Sequence, residues 1–431
     1  MSILLKLSKI WEGSDQPFLL HKGIEVGFDD VLNQQHLDLS GLSPGDVVAI
    51  VGDFDPETIL TLIRLIDLKM IVVPLTPDTA ADHDYFFESA YVDAVVQNGT
   101  LAKRVHFGRH ALIDELKQKE HGGLVLFSTG TTGRPKAILH DMSHFLRRFD
   151  TPRPAFRTLS FLLFDHIGGI NTLFHTLFNK GVVISPLSRT VESILETCRI
   201  SRVEVLPTTP TFLRMLLMAG AIPERIPESL KVITYGTERM DEPTLSMLCK
   251  LLPGVDFRQT FGMSELGILR VKSESRDSLF MKIGGEGIEF RIVDNLLEIR
   301  AQFRMLGYLN APSPFDLDGW YNTKDVVELK DGLIKVTGRS SDVINVGGLK
   351  FMASEVERVA LNFSGVAFAK VLPGVNPITG EHVEMIIEPK SELDFDLEEF
   401  KAFLKMNLRS HMVPRRIRIA SIEVGHRFKR K

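Results

Sequence analysis

Along this chain, short unbroken runs of β-branched and aliphatic residues alternate with longer stretches in which the apolar positions recur every three or four residues. GDVVAIVGDF, from Gly45, predicts a strand; PETILTLIRLIDLKM has helical spacing; IVVPL predicts the next strand, completing a βαβ unit. An apolar segment at Val92 to Val96 precedes a strand at Leu124 to Phe127. The alternation then continues: a helix around Ser143 to Arg148, a strand-like LSFLLF, a helix INTLFHTLFNK, a strand GVVIS, the run RVEVLP, a helix PTFLRMLLMAG and a strand KVITYG. Such alternation predicts largely parallel sheets covered on both faces by helices. Farther on, Asp331-Gly332 marks a hairpin in a β-ribbon or barrel part. The end of the chain, with strands AFAKVLPG and HVEMIIEP and the amphipathic helix LEEFKAFLKMNL, reads as a small α+β unit.

At 431 residues the chain exceeds what one hydrophobic core usually serves, so at least two domains are expected. A net charge of -4 and a pI near 6.4 give no overall attraction for nucleic acid or an anionic membrane, so an anion site must be local. The only cysteines, Cys198 and Cys249, lie in apolar helix-like stretches and are expected to be buried free thiols of a reducing compartment. The opening MSILLKLSKIWEG is broken by Lys6 and Lys9, and no run approaches the roughly 18 apolar residues of a membrane span. A cytoplasmic protein with no membrane span and no nucleic-acid partner is the expectation.

The chemistry concentrates in the loop that ends the Leu124 strand: Ser128-Thr129-Gly130-Thr131-Thr132-Gly133-Arg134-Pro135-Lys136. Glycines let backbone N–H groups turn toward an anion, hydroxyls add donors, and Arg134 and Lys136 add the charge that polyphosphate neutralises. It is not a Walker loop, because Pro135 precedes the lysine and Ala137 follows it where Gly-Lys-Ser/Thr is required. The loop closely resembles the signature Ser/Thr-Gly-Thr-Thr-Gly-x-Pro-Lys of the adenylate-forming superfamily: acyl-CoA synthetases, luciferase-like enzymes and adenylation domains. The resemblance runs from about Gly45 to the last residue.

In the order the superfamily has them, further matches follow. FDHIGGINTLF resembles the aromatic-His-x-Gly-Gly stretch lining the acyl pocket, implying roles for His166, Gly168 and Gly169. Asp165 stands where relatives carry an aromatic and either reads a polar or amino-bearing substrate or faces water. The amino-acid-activating branch has its ammonium-reading aspartate one position later, at His166 here, so amino-acid activation is not supported. Tyr235-Gly236-Thr237 sits where the family stacks adenine. Phe261-Gly262-Met263-Ser264-Glu265 resembles the Tyr-Gly-x-Thr-Glu element, with Glu265, together with Thr131, implied to hold Mg²⁺, a hard ion that takes oxygen ligands. Thr260 and Met263 flank the implied acyl pocket.

Asp325 falls where the family's aspartate takes both ribose hydroxyls and Arg339 where an arginine assists it, although Lys324 replaces the usual glycine. The resemblance divides the chain into a core, 1–338, and a small mobile lid, 339–431, turning about a hinge at Ser341 and Asp342. Gly347 and Gly348 match the loop over the thiol tunnel. The family's terminal lysine aligns with Arg427 on Phe428 and Arg430, or with His426 on Gly425, with Lys429 close in either case.

What the resemblance implies is ATP- and Mg²⁺-dependent conversion of a carboxylic acid to acyl-AMP and then to a thioester of CoA or an acyl-carrier protein. The alternative is a binding protein that has lost the terminal lysine and turnover.

Overall fold

A computed structural model describes residues 2–33, 37–106, 108–128, 133–391, 393–421 and 425. Among them are three seven-stranded sheets and a smaller five-stranded one. In the first sheet the order is Asp256–Gln259, Val232–Tyr235, Val205–Thr208, Arg157–Leu159, Val182–Ser185, Leu19–His21, Ile24–Val26, parallel except for the last pair. In the second, a parallel centre of Gly123–Phe127, Ile71–Leu75, Val47–Val51 and Ala94–Gln97 carries antiparallel strands at both edges.

Alternating side chains explain the layering. Val48 and Ile50 face a core shared with helices Pro56–Asp67 and Ile167–Phe178, whereas Val47, Ala49 and Val51 face a core shared with helices His83–Ser89 and Ala111–Gln118. The first core also takes Leu19 and Val183 from the first sheet, so the two sheets sandwich a helical layer. Strands buried on both faces are therefore apolar throughout, as in Gly123–Phe127. Local signals set the helix starts: Asp55 accepts the Thr58 N–H at 2.9 Å, and Pro56 occupies the first helical position.

The expected β-ribbon part is an antiparallel sheet running from Phe261–Met263 through Gly267–Ser273, Met281–Gly284, Leu333–Arg339, Tyr321–Lys330 and Leu296–Ala301 to Ile288–Val293. The fourth sheet, Leu349–Met352, Val343–Val346, Gly380–Pro389, Val366–Asn376 and Arg416–Ile419, packs on helices Ala353–Leu361 and Leu397–Asn407. Its apolar core, from Ile344 to Ile417, shares no residue with the other cores. The fold class expected from the sequence is the one found, and known structures described below share it.

Three local expectations are corrected. Of LSFLLF only Leu159 belongs to a strand, Arg157–Leu159; the apolar residues after it fill the core without a ladder. After the glycine-rich loop the chain returns as an antiparallel strand, Ala137–Asp141, before the helix Met142–Arg147. Cys198 is buried, its thiol pushed up to about 12 by burial and so kept protonated, but Cys249 is only half-buried, with Sγ 3.5 Å from the Arg276 carbonyl.

The Ile167 helix opens tightly against the segment before it. A Cβ on Gly169 would sit 2.0 Å from the Leu163 carbonyl oxygen, whereas one on Gly168 would meet the movable Leu162 Cδ1 at 2.8 Å. Gly169→Ala should therefore destabilise the fold by about 2 kcal/mol or more, although a helical Gly→Ala change ordinarily stabilises by roughly 1 kcal/mol. Gly168→Ala should lose much less, and urea midpoints of the two variants compared with wild type check the ordering.

Candidate active site

The glycine-rich loop joins two antiparallel strands, and its ends are tied together. Ser128 donates its N–H to the Lys136 carbonyl and accepts the Lys136 N–H on Oγ, both at 3.0 Å. Beneath, the Tyr85 hydroxyl donates to the Pro135 carbonyl at 2.7 Å, and Asn310 Nδ2 reaches the same oxygen at 3.2 Å. Asn310 Oδ1 accepts the Ala137 N–H at 2.9 Å, and the Arg134 guanidinium lies 5.2 Å from the Tyr85 ring. Gly133, Arg134 and Lys136 are exposed above this base. Thr129, Gly130, Thr131 and Thr132 lie outside the described residues.

Lys136 is held near Glu265 by a tyrosine. Its Nζ stands 4.8 Å from the centre of the Tyr308 ring, and the Tyr308 hydroxyl donates to Glu265 Oε1 at 2.8 Å. Tyr321 hydrogen-bonds within the same cluster. Burial, then the nearby Glu265 carboxylate, raises both phenols well above their ordinary range, so both keep their protons at any working pH. Among the described residues no group of three or more His, Cys, Asp or Glu is arranged to hold a metal ion. One half-buried carboxylate beside the Lys136 ammonium suits Mg²⁺, which takes one or two carboxylates and completes its shell with phosphate and water.

A cleft of about 460 Å³ lies beside this cluster, between the larger part of the chain and the fourth sheet. Tyr235, Gly236, Thr237, Thr260, Phe261, Gly262, Met263, Asp325, Arg339, Ser341 and Asp342 all line it. Gly236 is required by the closeness of the strands, since a Cβ there would meet Thr260 Oγ1 at 2.1 Å. Thr237 follows at a φ of +69°, a conformation in which a β-branched residue is strained. The Tyr235 ring does not offer a face to the cleft: it is 1 % exposed and belongs to the core under the first sheet.

Asp325 is buried, pairs across the strands with Arg339, and lies 3.2 Å from Arg339 Nε. Burial raises its carboxyl above the usual range, and Arg339 partly offsets this. Lys324, just before it, has a φ of +63°, a conformation that a glycine adopts freely and a lysine only with strain. Asp342 folds back to accept the Arg339 N–H at 3.0 Å and the Ser341 hydroxyl at 3.0 Å, fixing the 340–342 turn.

Other candidates stand apart from this cleft. Asp165 is 3 % exposed and does not face water; His166 Nδ1 accepts the Gly168 N–H at 3.1 Å and caps the Ile167 helix. None of Asp165, His166, Gly168 and Gly169 is among the cleft residues. Gly347 and Gly348, at φ of +60° and +89°, form the exposed two-residue turn between Val343–Val346 and Leu349–Met352, away from the cleft. Arg427, Lys429 and His426 lie outside the described residues.

Sequence reading missed Tyr85, Tyr308, Tyr321 and Asn310. A signal was present: the chain has 28 phenylalanines and only 5 tyrosines, and three of those tyrosines, Tyr85, Tyr308 and Tyr321, place their hydroxyls in hydrogen bonds here.

Residues 112–302 match the family model described as AMP-binding enzyme. A medium/long-chain-fatty-acid–[acyl-carrier-protein] ligase of Mycobacterium tuberculosis is 28% identical over 308 residues, 63% of this chain and 56% of that protein. A 3-[(3aS,4S,7aS)-7a-methyl-1,5-dioxo-octahydro-1H-inden-4-yl]propanoyl:CoA ligase of Rhodococcus jostii is 26% identical over 68% of this chain and 60% of that protein. The chain thus spans little more than half the length of these curated relatives. Among solved structures, an anthranilate CoA ligase with anthranoyl-AMP covers all of this chain and 95% of its own at a TM-score of 0.82 and 16% identity. ATP-bound MatB of Rhodopseudomonas palustris covers 99% and 96% at 0.80 and 17%. At such identities the structures establish the fold. Residues 112–302 thus resemble AMP-binding enzymes, and nearly the whole chain shares the fold of these solved structures.

The strand returning from the loop is fastened to the Glu265 turn by buried His140, which meets the Ser264 carbonyl at 2.7 Å. Burial, then Arg148, lowers its pKa from 6.5 to about 4. The unfolded chain therefore binds a proton that the folded chain refuses: the stabilisation is complete above pH 6.5 and is lost as pH falls from there through about 4. The loss should reach on the order of 3 kcal/mol. His140→Gln keeps a donor for Ser264 without a titrating ring and should flatten this part of the stability–pH curve, measured by urea unfolding at pH 4 to 7.5.

Proposed function

We propose that this protein is an AMP-forming acid–thiol ligase, using ATP to convert a carboxylic acid to an acyl-adenylate and passing the acyl group to a thiol of CoA or a carrier protein. The observation that carries this reading is the Lys136–Tyr308–Glu265 cluster beside a cleft that ends in the Asp325–Arg339 pair. One end offers cations and a hard oxygen donor, as triphosphate requires; the other offers a buried carboxylate, as a ribose diol requires.

In this reading Ser128, Gly133 and Lys136, with Thr129, Gly130, Thr131 and Thr132, receive the β- and γ-phosphates. Glu265, with Thr131, would hold Mg²⁺, which supplies charge neutralisation when bound. Backbone at Tyr235, Gly236 and Thr237 borders adenine with Phe261, Gly262 and Ser264 nearby, Asp325 accepts the ribose hydroxyls, and Arg339 steadies it. A carboxylate is already ionised at neutral pH, so its oxygen attacks the α-phosphorus without a general base, and the bond to pyrophosphate breaks. Catalysis is then positioning and electrostatics. In the second step thiolate sulfur attacks the acyl carbonyl and AMP leaves.

The acid is proposed to enter beside Thr260 and Met263 toward Asp165, His166, Gly168 and Gly169. The division into 1–338 and 339–431 belongs to the same reading. Ser341 and Asp342 act as the hinge, and Gly347 and Gly348 approach the thiol path after rotation. Arg427 or Lys429 stands in for the terminal lysine; arginine keeps the charge but presents a bulkier planar fork. The second reading, nucleotide binding without turnover, is favoured only by that replacement.

ATP–pyrophosphate exchange across aryl, short-chain and long-chain acids tests the reading, and exchange with none of them, alongside intact ATP binding, would leave the non-catalytic alternative. Lys136→Ala and Glu265→Ala should each slow acid-dependent pyrophosphate release by about 10²-fold or more, because each removes a charge from a preorganised site. Wild-type rates in both would falsify the assignment.

The tail is tested by separating the two half-reactions. Arg427→Ala should slow acyl-AMP formation about 10²-fold while sparing thioester formation from supplied acyl-AMP. Lys429→Ala should be nearly silent in both assays. The reverse pattern transfers the role to Lys429, and two silent variants exclude the tail from the reaction.

A further inference from the structure

Helix Ala353–Leu361 of the small unit meets the large unit through one stripe. Ser354 at position i, Glu357 at i+3 and Arg358 at i+4 share a face of the helix, and each has a partner across the seam. The Ser354 hydroxyl donates to the Thr337 carbonyl at 2.6 Å, Arg239 Nη2 donates to Glu357 Oε2 at 3.2 Å, and Arg358 Nη1 lies 3.5 Å from Glu242 Oε2.

The three contacts differ in what they demand. Arg358 and Glu242 are both exposed, and Glu242 keeps a second cation, Lys335 of the large unit at 3.2 Å, whether or not the helix is docked. A serine hydroxyl parted from a carbonyl is satisfied by water. Glu357 is different, because it is buried and its Oε1 accepts the Val371 N–H of its own unit at 3.1 Å. The small unit thus holds the carboxylate facing the seam, and any docked position that failed to bring up a cation would bury that charge unpaired. Arg239 brings one from the edge of the cleft, directly after the Gly236–Glu238 turn. A buried ionic contact of this kind does more to specify one arrangement than to stabilise it.

Resting on the proposed function, we infer that Glu357 and Arg239 form the latch that selects one arrangement of the two units, the one in which acyl-AMP is made. Both are positioning residues, acting through where the small unit stands over the cleft. In the proposed function Gly347 and Gly348 reach the thiol path only after rotation, and here their turn stands away from the cleft. Adenylation therefore needs the latch shut, and the thioester step needs it open.

The test reads arrangement and chemistry separately in the full chain. Nitroxide labels on Leu187→Cys and Met406→Cys, both largely exposed, in a Cys249→Ser background that leaves only buried Cys198, report the distance between the units by double electron–electron resonance. Glu357→Gln keeps an acceptor for Val371 and removes the charge; Arg239→Met removes its partner from the large unit, where a fault in the fold of the small unit cannot mimic it. Each should shift the ratio of docked to parted molecules about tenfold toward the parted distances. Acyl-AMP formation should slow in proportion to the docked fraction lost, while thioester formation from supplied acyl-AMP should be no slower than wild type. The double variant should shift no further than either single one, and Arg239→Lys should recover part of the docked population. Wild-type distances in either variant overturn the inference, as does equal slowing of the two half-reactions, which is the mark of a purely structural pair. Wild-type protein that forms acyl-AMP from none of the acids sinks the proposed function instead, and the distances, read without catalysis, tell the two failures apart.

Discussion

The hydrogen bond from the Tyr308 hydroxyl to Glu265 joins two sheets that have no strand in common. Tyr308 lies on the edge of the second sheet and Glu265 in the turn that opens the antiparallel one. Two further bonds run across the same seam: the Met305 N–H to the Glu265 carbonyl at 2.8 Å, and buried His140 to the Ser264 carbonyl at 2.7 Å. Together they fix where the loop bearing Lys136 stands relative to the cleft. Ile268, packed on the core beneath the second sheet, and Arg148, donating to the Phe303 carbonyl, add to this anchoring, and charge positioned to about an ångström is what electrostatic catalysis needs. Keeping the phenol protonated is part of the device, because a phenolate beside Glu265 would repel it.

Two left-handed non-glycine residues stand where the chain bends into the cleft. Of the described non-glycine residues with positive φ, Thr237 is the only β-branched one, and Lys324 sits immediately before the buried Asp325. Each such conformation disfavours the fold by on the order of 1–2 kcal/mol and persists only when its surroundings over-determine it. Gly236, pressed to within 2.1 Å of Thr260 by any added Cβ, and the Asp325–Arg339 ladder provide those surroundings. At 324 the sequence alone shows an unexplained lysine; the torsion shows that it takes the left-handed conformation that the glycine expected there would take without strain.

Periodicity made the α/β layers legible because strands buried on both faces must be apolar throughout, and the Val47–Val51 and Ile71–Leu75 strands are. It misread LSFLLF for the same reason: an apolar run tells of burial, and only the neighbouring ladder tells whether burial comes with strand pairing. Motif order picked out residues that line one cleft, from Gly236 to Arg339, because they sit in backbone turns and at carboxylates that leave short local patterns. Tyr308 and Asn310 left no such pattern, since their partners Glu265 and Pro135 are 43 and 175 residues away. Tyr235 misled in the opposite direction: strand alternation sends its ring into the core and leaves its backbone to the cleft.

What lies between the small unit and the large one is mostly charge. Arg239–Glu357 and Arg358–Glu242 span the seam, and the second is solvent-accessible on both sides. Exposed pairs of this kind contribute roughly 0–1 kcal/mol each. The buried contribution is Phe368 against Arg214, which is itself neutralised by Asp241 within the large unit. Because the apolar core of the small unit is closed on itself, parting the seam leaves that core intact while it frees the Phe368 ring, the Ser354 hydroxyl that donates to the Thr337 carbonyl at 2.6 Å, and ion pairs that water solvates well. A joint of that composition holds one arrangement without making another inaccessible, which is the energetic condition a hinge at residues 341 and 342 would have to meet.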